Sequence, residues 1–296
     1  MGTRAIEPGR RPEVEQVAGT ARHGRVPIGP SAASSLRAML LGAHVPTADP
    51  LGEAAVRGAE VAQVFVSSPR RWASPTSRAD AASLRAAGLP LYVHSPYLLN
   101  LASADPQVRE RSEVLLQDTC VAAEAIGALG VVVHGGQTGA GEDPALGPAR
   151  WRRALERLDT SVPILIEDTA GGPNAVASTI ERIARLWAAL DGVATPFGCC
   201  LDTCHLHAAG EALVAGTERL LALLGRIDLV HVNDSKDGPG SGRDRHENLG
   251  AGRIDPEALA ETVRCAAAPA VVETPGGAAD QAADLTWLRT QLAVTG

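Results

Sequence analysis

Short apolar runs alternate with helix-forming segments along most of this chain. From Gly42 onward, β-branched and apolar stretches are separated by stretches rich in Ala, Leu, Arg and Glu, the alternation expected of repeated βα units. The eight candidate strands, each with the residues that follow it, are Gly42–Val45, Val61–Ser68, Leu91–Tyr97, Gly130–Gly136, Pro163–Thr169, Phe197–His205, Leu229–Lys236 and Ala270–Pro275. Runs such as VVV and ILI lack polar alternation, which predicts parallel strands covered on both faces.

Helical patterns follow the strands. Between Asp105 and Ala128, apolar residues that include Val114, Leu115 and Val121 recur at spacings of three and four, which is typical of an amphipathic helix. Eight βα units favour closure into an α/β (β/α)8 TIM barrel, because closure removes both exposed sheet edges. An open doubly wound sheet is the alternative, although no GxGxxG motif follows the first strand to support its dinucleotide-binding form.

The first 40 residues have a different character from the rest. They are rich in Pro, Gly, Arg and Ser and have no sustained periodicity, which predicts a flexible or loosely docked arm that is mainly irregular. Residues 41–296 remain for the barrel, and a TIM barrel needs about 250 residues. We therefore expect an N-terminal arm over residues 1–40 and one barrel domain over residues 41–296.

Composition excludes several classes of protein. Hydrophobic residues make up 45% of the chain and charged residues 21%, which is close to the globular average. No stretch approaches eighteen apolar residues and no signal peptide is recognisable, so we expect a soluble cytoplasmic protein without a membrane partner. The five cysteines form neither a CxxC motif nor an even set, which predicts buried free thiols.

Net charge alone does not identify the partner. The net charge of −7 is unevenly distributed. Residues 1–40 contain six arginines and three glutamates, a net charge of +3, so residues 41–296 carry −10. Phosphate binding normally requires a basic surface. Carboxylates that hold divalent metals would reverse the local charge, so a nucleic-acid partner is compatible with this composition.

Nearly every candidate strand ends in a residue that can ligate a metal. These residues, with two more from the loop after the seventh strand, are His94, His134, Glu167, Asp202, His205, His231, Asp244, His246 and Glu273. The carboxyl ends of parallel barrel strands converge on one face, where unpaired buried charges would cost several kcal/mol each. Nine ligands exceed what one zinc ion uses and suit three metals, with Zn²⁺ first and Mn²⁺ or Fe²⁺ possible. Cys204 is given no role.

Ordered motifs along the chain resemble one known family. They are GAHV, RRW at Arg70–Trp72, HSPYLLNLAS, IEDTAG, LDTCHLHAAG, HVNDSK, DRHENLGAG and VVETP. With these motifs the chain, from about Gly42 to the last residue, resembles the endonuclease IV (deoxyribonuclease IV) family of apurinic/apyrimidinic endonucleases, which have a xylose-isomerase-like TIM barrel. LDTCH and the DRH triplet are the most specific, since a generic barrel has little reason to carry both.

The resemblance implies a three-zinc site and a reaction. The implied ligand sets are His94, His134 and Glu167 for the first ion, Glu167, Asp202, His231 and Glu273 for the second, and His205, Asp244 and His246 for the third. Arg70 and Tyr97 match positions that the family inserts into the duplex at the lesion. The implied activity is hydrolysis 5′ to abasic sites in duplex DNA during base excision repair, by a monomer, with Glu167 as the catalytic residue that orients the nucleophile. The products would be a 3′-hydroxyl and a 5′-deoxyribose phosphate.

Two loops depart from the usual family pattern. GGQTGAG follows His134 where the family more often has PGSH, and HSPY places a proline before Tyr97 where HDSY is common. Neither departure removes a ligand. Both departures affect how these two loops would fit DNA and how strongly the protein would prefer the lesion over undamaged DNA.

Two other functions fit part of the pattern. A single-metal sugar isomerase or epimerase of the xylose-isomerase-like barrels needs a Glu, Asp, His, Glu quartet, which Glu167, Asp202, His231 and Glu273 supply. A barrel that binds damaged DNA or a sugar without turnover is the non-enzymatic alternative. The five remaining ligands favour the nuclease, and about three metals per chain would distinguish it from an isomerase with one.

Overall fold

The structure, a computed structural model, describes residue 2 and residues 39–293. The arm expected over residues 1–40 therefore lies outside the described residues, except for residues 2, 39 and 40. Met39 packs against the hydrophobic core. The backbone carbonyl of Leu40 accepts a 2.9 Å hydrogen bond from the N–H of Ala270. The chain thus already contacts the barrel at the last two residues assigned to the arm.

Eight parallel strands close into a barrel, which confirms the predicted TIM-barrel fold. They are β1 Leu41–His44, β2 Ala62–Phe65, β3 Leu91–His94, β4 Val131–His134, β5 Ile164–Glu167, β6 Phe197–Asp202, β7 Leu229–His231 and β10 Ala270–Val272. β10 pairs with both β1 and β7 and so closes the sheet. Each observed strand overlaps one of the eight predicted runs.

Helices cover the outside of the barrel. They are α1 Pro50–Arg57, α2 Ala81–Ala86, α3 Pro106–Ala125, α4 Leu146–Arg157, α5 Ile180–Ala189, α6 Thr203–Ala208, α7 Leu213–Leu224, α8 Pro256–Ala266 and α9 Ala278–Ala293. Asp105 caps α3, because its carboxylate accepts the N–H of Gln107, and proline occupies the first helical position, where it is favoured. Within residues 39–293, none of these helices combines the length and apolar character needed to cross a membrane.

The buried face of α3 differs from the one that apolar spacing indicates. Val114 and Val121 are 58% and 59% exposed, whereas Leu115 is buried. The barrel-facing side instead includes Ser112 and Thr119. Their hydroxyls donate to backbone carbonyls four residues earlier in the helix, which satisfies them internally. A count of apolar residues therefore misplaced part of this face.

The strand register places polar residues at the ends of neighbouring strands at the same level along the barrel axis. His134 at the end of β4 lies beside Glu167 at the end of β5. Asp202 at the end of β6 lies beside His231 at the end of β7. Because all eight strands run in the same direction, their carboxyl ends meet at a single rim. Polar residues from distant parts of the chain are therefore neighbours.

A short hairpin that the sequence did not predict stands on this rim. β8, Asp234–Ser235, pairs antiparallel with β9, His246–Glu247. Its ten-residue connection, residues 236–245, contains Asp244. The hairpin returns the loop after β7 toward the barrel mouth.

The cysteines behave as small apolar residues. All five are free, and four of them, Cys120, Cys199, Cys200 and Cys204, are buried. Each cysteine lies within the described residues, and Cys265 is the one that is partly exposed.

Gly42 in β1 allows a close approach that gives a test of the barrel packing. A Cβ atom at this position would lie 1.6 Å from the carbonyl oxygen of Val61, just before β2. We expect Gly42→Ala to lower the free energy of unfolding by about 3 kcal/mol, the upper end of the cost of overpacking, as measured by urea denaturation. Gly238→Ala, where nothing lies within 4 Å, should change it by less than about 0.5 kcal/mol. Equal midpoints for the two variants would contradict this packing.

Candidate metal centre

The structure brings all nine predicted ligand residues to the carboxyl-end rim of the barrel. Their potential ligand atoms, together with that of Cys204, form four overlapping groups, and within each group these atoms lie within 4.8 Å of one another. The groups are His94, His134 and Glu167; Glu167, Asp202, His231 and Glu273; Asp202, His205 and His246; and Cys204, Asp244 and His246. The first two groups have the same members as two of the ligand sets implied by the family resemblance.

The residues of the third implied set are joined through Asp244. Its Oδ2 lies 3.2 Å from His205 Nε2, and its Oδ1 lies 3.0 Å from His246 Nε2. Asp202 adds a second carboxylate, with Oδ2 at 3.6 Å from His246 Nε2. Cys204 also lies here, but burial raises the pKa of its thiol to about 12. Its sulfur lies in one group with ligand atoms of Asp244 and His246.

Glu167 lies where the first two groups overlap. Its carboxylate is fully buried, with Oε2 at 3.2 Å from Nε2 of both His94 and His134. Its Oε1 lies 3.0 Å from His231 Nδ1. Burial alone would raise the pKa of this carboxyl, but the charges of His134 and His231 hold it well below its usual range. Glu167 is therefore an ionised carboxylate shared by both groups.

Protons on the imidazoles balance the buried carboxylates. Burial lowers the pKa of His231, but Glu273 and Glu167 overcome this and raise the pKa to about 9. Burial also lowers the pKa of His246, but nearby carboxylates, chiefly Asp202, outweigh this effect and raise the pKa to about 9. Divalent cations bound to these nitrogens would take over the neutralisation and release the protons.

Backbone carbonyls orient three of the imidazoles. His94 Nδ1 lies 2.7 Å from the carbonyl oxygen of the following residue, and His205 Nδ1 lies 2.9 Å from that of Asp168. His246 Nδ1 lies 3.3 Å from the carbonyl oxygen of Glu273. Because a carbonyl can only accept, each Nδ1 carries a proton. Against the effect of burial, the carboxylates raise the pKa of all three rings, so without metal each Nε2 also carries a proton toward the carboxylates, and a bound cation would replace it.

The donor set fits divalent transition metals. Nε2 of His246 is buried and makes no hydrogen bond, although carboxylate oxygens lie close to it. Five imidazoles and four carboxylates meet here, and mixed nitrogen and oxygen donors suit Zn²⁺, Mn²⁺ or Fe²⁺ better than the all-oxygen sites of Ca²⁺ or Mg²⁺. The residues present are therefore suited to metal ions.

Asn233 ties two of the carboxylate-bearing strands together. Its Nδ2 donates to Asp202 Oδ2 at 2.7 Å, and its Oδ1 accepts the N–H of Glu273 at 2.9 Å. Asp202 also caps α6, because its Oδ1 accepts the N–H of His205 at 2.9 Å. These hydrogen bonds restrict Asp202 to one orientation at the junction of β6 and α6.

Two residues of the centre were absent from the predicted set. His44 ends β1, and its Nδ1 lies 2.8 Å from Glu273 Oε1. Gln63 lies within β2, is fully buried, and contacts both Glu273 and His231. His44 stands at the end of a strand like the predicted histidines, and Gln63 is a lone amide in the apolar run VAQVFV. The position of His44 at a strand end and the single amide of Gln63 in an apolar run are both visible in the sequence.

Arg70 and Tyr97 lie on neighbouring rim loops. The N–H of Tyr97 donates to the carbonyl of Pro69 at 3.0 Å, which joins the loops after β2 and β3. The Tyr97 side chain is 49% exposed, and its ring centroid lies 5.4 Å from that of His94 and 5.8 Å from that of His134. Arg70 is exposed in the adjoining loop. The structure thus places both residues on the rim beside the centre.

The GGQT segment after β4 is shaped by tight packing. A Cβ atom at Gly135 would lie 2.4 Å from the Cβ of Ala177. Gly136 has a φ of +68°, and a Cβ atom there would lie 2.4 Å from Asn100 Oδ1. Asn100 also exchanges two hydrogen bonds with the backbone of Gln137. Asn100 therefore holds this loop, which departs from the usual family sequence, in place beside His134.

Asp234 anchors the far side of the loop after β7. Its buried carboxylate accepts four backbone N–H groups, from Ser235, Gly250, Gly252 and Ile254, at 2.7–3.1 Å. Asp234 belongs to β8, which pairs with the strand that carries His246. The loop that brings in Asp244 and His246 is thus fastened to the end of the barrel by one side chain.

Comparisons with known proteins agree with the barrel fold and indicate the family of the chain. Residues 51–291 match the family model described as a xylose isomerase-like TIM barrel. A probable endonuclease 4 from Mycobacterium ulcerans is 53% identical over 255 residues, 86% of this chain and 99% of that protein. The crystal structure of endonuclease IV from Thermus thermophilus is 32% identical with a TM-score of 0.75, over 86% of this chain and 99% of that one. The crystal structure of a D-tagatose 3-epimerase-like protein shares the fold. It is 16% identical with a TM-score of 0.72, over 86% of this chain and 98% of that one.

The role of Asp234 can be tested by amide hydrogen exchange. Asp234→Asn keeps one acceptor oxygen but turns an NH₂ group toward the backbone donors. Hydrogen bonds to a charged acceptor are worth about 1.5–3 kcal/mol, so we expect exchange at Gly250, Gly252 and Ile254 to accelerate about tenfold or more. Asp159→Asn, at the opposite end of the barrel, should leave these amides unchanged. Unchanged exchange in Asp234→Asn would show that its carboxylate does not hold the loop.

Proposed function

The chain belongs to the endonuclease 4 family of xylose isomerase-like TIM barrels, and we propose that this endonuclease hydrolyses the phosphodiester bond 5′ to abasic sites in duplex DNA. The reaction would leave a 3′-hydroxyl and a 5′-deoxyribose phosphate and would serve base excision repair. The observation that carries the proposal is the convergence of nine metal-competent side chains on one rim. Because a single chain supplies all nine, we propose that it acts as a monomer.

We propose three Zn²⁺ ions as the cofactor, with Mn²⁺ or Fe²⁺ as possible substitutes. The proposed ligand sets are His94, His134 and Glu167; Glu167, Asp202, His231 and Glu273; and His205, Asp244 and His246. When bound, such ions supply a water of lowered pKa and positive charge for the phosphoryl oxygens and the departing 3′ oxygen. The overlapping groups of nitrogen and oxygen donors support this assignment.

Glu167 is the proposed catalytic residue. Its carboxylate is fully buried, ionised and in contact with imidazoles of both groups that share it. An ionised carboxylate accepts hydrogen bonds and donates none. Glu167 can therefore orient an attacking water by accepting one of its protons in a hydrogen bond.

Tyr97 and Arg70 are the proposed DNA contacts. Tyr97 presents a half-exposed ring against the rings of His94 and His134, which offers an apolar face at the edge of the centre. Arg70 adds an exposed cation on the neighbouring loop. An abasic nucleotide has no base to unstack, so turning it toward the rim costs less than flipping an intact nucleotide.

A sugar isomerase or epimerase is the second candidate. Glu167, Asp202, His231 and Glu273 form one group of ligand atoms, as a single-metal enzyme of this fold requires. The likeness to the epimerase-like structure, at 16% identity, extends to the fold alone. The remaining histidines and Asp244 have no task in such an enzyme, which favours the endonuclease.

The activity is tested directly with a duplex oligonucleotide that contains one abasic site. We expect incision on its 5′ side, none in the undamaged duplex, loss of incision after chelation, and about three metal ions per chain by elemental analysis. One metal per chain, with interconversion of ketoses and no incision, would instead identify the isomerase.

Glu167→Gln tests the catalytic assignment. The change keeps the size of the side chain and removes its charge, so we expect incision to fall to the level seen without protein while the circular dichroism spectrum is retained. Glu156→Gln, an exposed change on α4, should cleave at the wild-type rate. Wild-type turnover by Glu167→Gln would contradict the metal and catalytic assignments together.

Tyr97→Ala tests the proposed DNA contact. Loss of a stacking ring costs about 1–3 kcal/mol, which corresponds to a roughly 5- to 150-fold higher Kd for the abasic duplex. Fluorescence anisotropy in the Glu167→Gln background measures binding without incision. Tyr97→Phe, which retains the ring, should bind within about threefold of its parent, and equally tight binding by Tyr97→Ala would exclude this contact.

A further inference from the structure

One buried amide connects two of the proposed ligand residues. Gln63 lies within β2 and is fully buried. Its Nε2 is 2.6 Å from Glu273 Oε1, and its Oε1 is 2.9 Å from His231 Nε2. A single side chain therefore contacts residues that lie at the ends of β7 and β10.

The orientation of this amide follows from its partners. The carboxylate of Glu273 lies on one side of the amide, and the ring of His231 lies on the other. A carboxylate can only accept hydrogen bonds, so the atom of Gln63 that faces it is the NH₂ nitrogen. The carbonyl oxygen of Gln63 then faces His231 Nε2, which must carry a proton to donate to it.

This hydrogen bond reverses the ring of His231 relative to its neighbours. The rings of His94, His205 and His246 donate from Nδ1 to backbone carbonyls and turn Nε2 inward. His231 donates from Nε2 to Gln63 and turns Nδ1 inward, 3.0 Å from Glu167 Oε1. A side chain, rather than the backbone, decides which nitrogen this histidine presents.

Gln63 and His44 also decide which oxygen Glu273 presents. His44 Nδ1 lies 2.8 Å from Glu273 Oε1 and 3.0 Å from Gln63 Nε2. Two donors thus meet Oε1, one from His44 and one from Gln63. The other oxygen, Oε2, remains directed at His231 Nδ1, 3.3 Å away.

We propose that Gln63 is a positioning residue for the metal group formed by Glu167, Asp202, His231 and Glu273. Its amide sets which nitrogen of His231 and which oxygen of Glu273 face the metal, without itself being a ligand. The inference rests on the metal centre of the proposed function. Partners that orient metal-bound histidines typically contribute about 10- to 100-fold to metal affinity or activity.

Metal release from the purified full-length protein tests this role. Zinc-loaded wild type, Gln63→Met and Gln117→Met are mixed with a colorimetric chelator, and release is followed with time. We expect one of the three equivalents to leave Gln63→Met about 10- to 100-fold faster, with the other two unchanged. Gln117 makes two hydrogen bonds with the backbone of Asp159 at the opposite end of the barrel, so Gln117→Met should release zinc like wild type.

A second variant and a second signal separate positioning from a general loss of structure. Gln63→Glu keeps the size of the side chain and an acceptor for His231, but it places a carboxylate against Glu273, so it should lose the same equivalent even if Gln63→Met fails to fold. Loading with Co²⁺ should shift the visible spectrum of the Gln63 variants and leave that of Gln117→Met unchanged. On abasic duplex, kcat should fall while KM stays within about threefold of wild type.

The outcomes distinguish this inference from the function on which it rests. Wild-type protein that holds no metal would overturn the proposed function and the inference together. Wild-type protein that holds three metals, with Gln63→Met or Gln63→Glu releasing them at the wild-type rates and with wild-type Co²⁺ spectra, would overturn the inference alone.

Discussion

An ionised carboxylate buried at the top of the barrel imposes a condition that the rest of the rim must meet. Removing the charge of Glu167 from water costs several kcal/mol unless opposite charges surround it. The imidazoles of His94, His134 and His231 approach within 3.2 Å and provide that surrounding. They come from three other strands, so the electrostatic balance of the centre depends on the barrel being closed and correctly registered.

Sequence patterns were sufficient for the strands and for much of the centre. Nearly every apolar run is followed by a polar residue, and parallel strands carry such ends to one rim, so neighbours such as His134 and Glu167 could be expected to meet. The pairing of Gln63 with His231 spans 168 positions of the sequence. In a strand that is apolar on both faces, alternation does not show which side a lone amide takes, so this contact required the three-dimensional arrangement.

Loop and helix surfaces were less predictable for a related reason. The segment after β4 is held by Asn100, and the loop after β7 is held by Asp234, in both cases through side-chain bonds to distant backbone. On α3, the inner face includes Ser112 and Thr119, whose hydroxyls are satisfied within the helix. Local composition describes none of these contacts, because each depends on what the rest of the chain places opposite.

The closing of the sheet by β10 determines when during synthesis the centre can exist. β10 joins β1 to β7, and Glu273 follows directly after it. A ribosome-bound chain that has not yet emerged through residue 273 has an open sheet and lacks one carboxylate of the cluster. Because chains grow from the N-terminus and non-local strand pairing is slow, the complete centre can assemble only after β10 has emerged, and nascent fragments that end before residue 273 carry its histidines without its full complement of acidic groups.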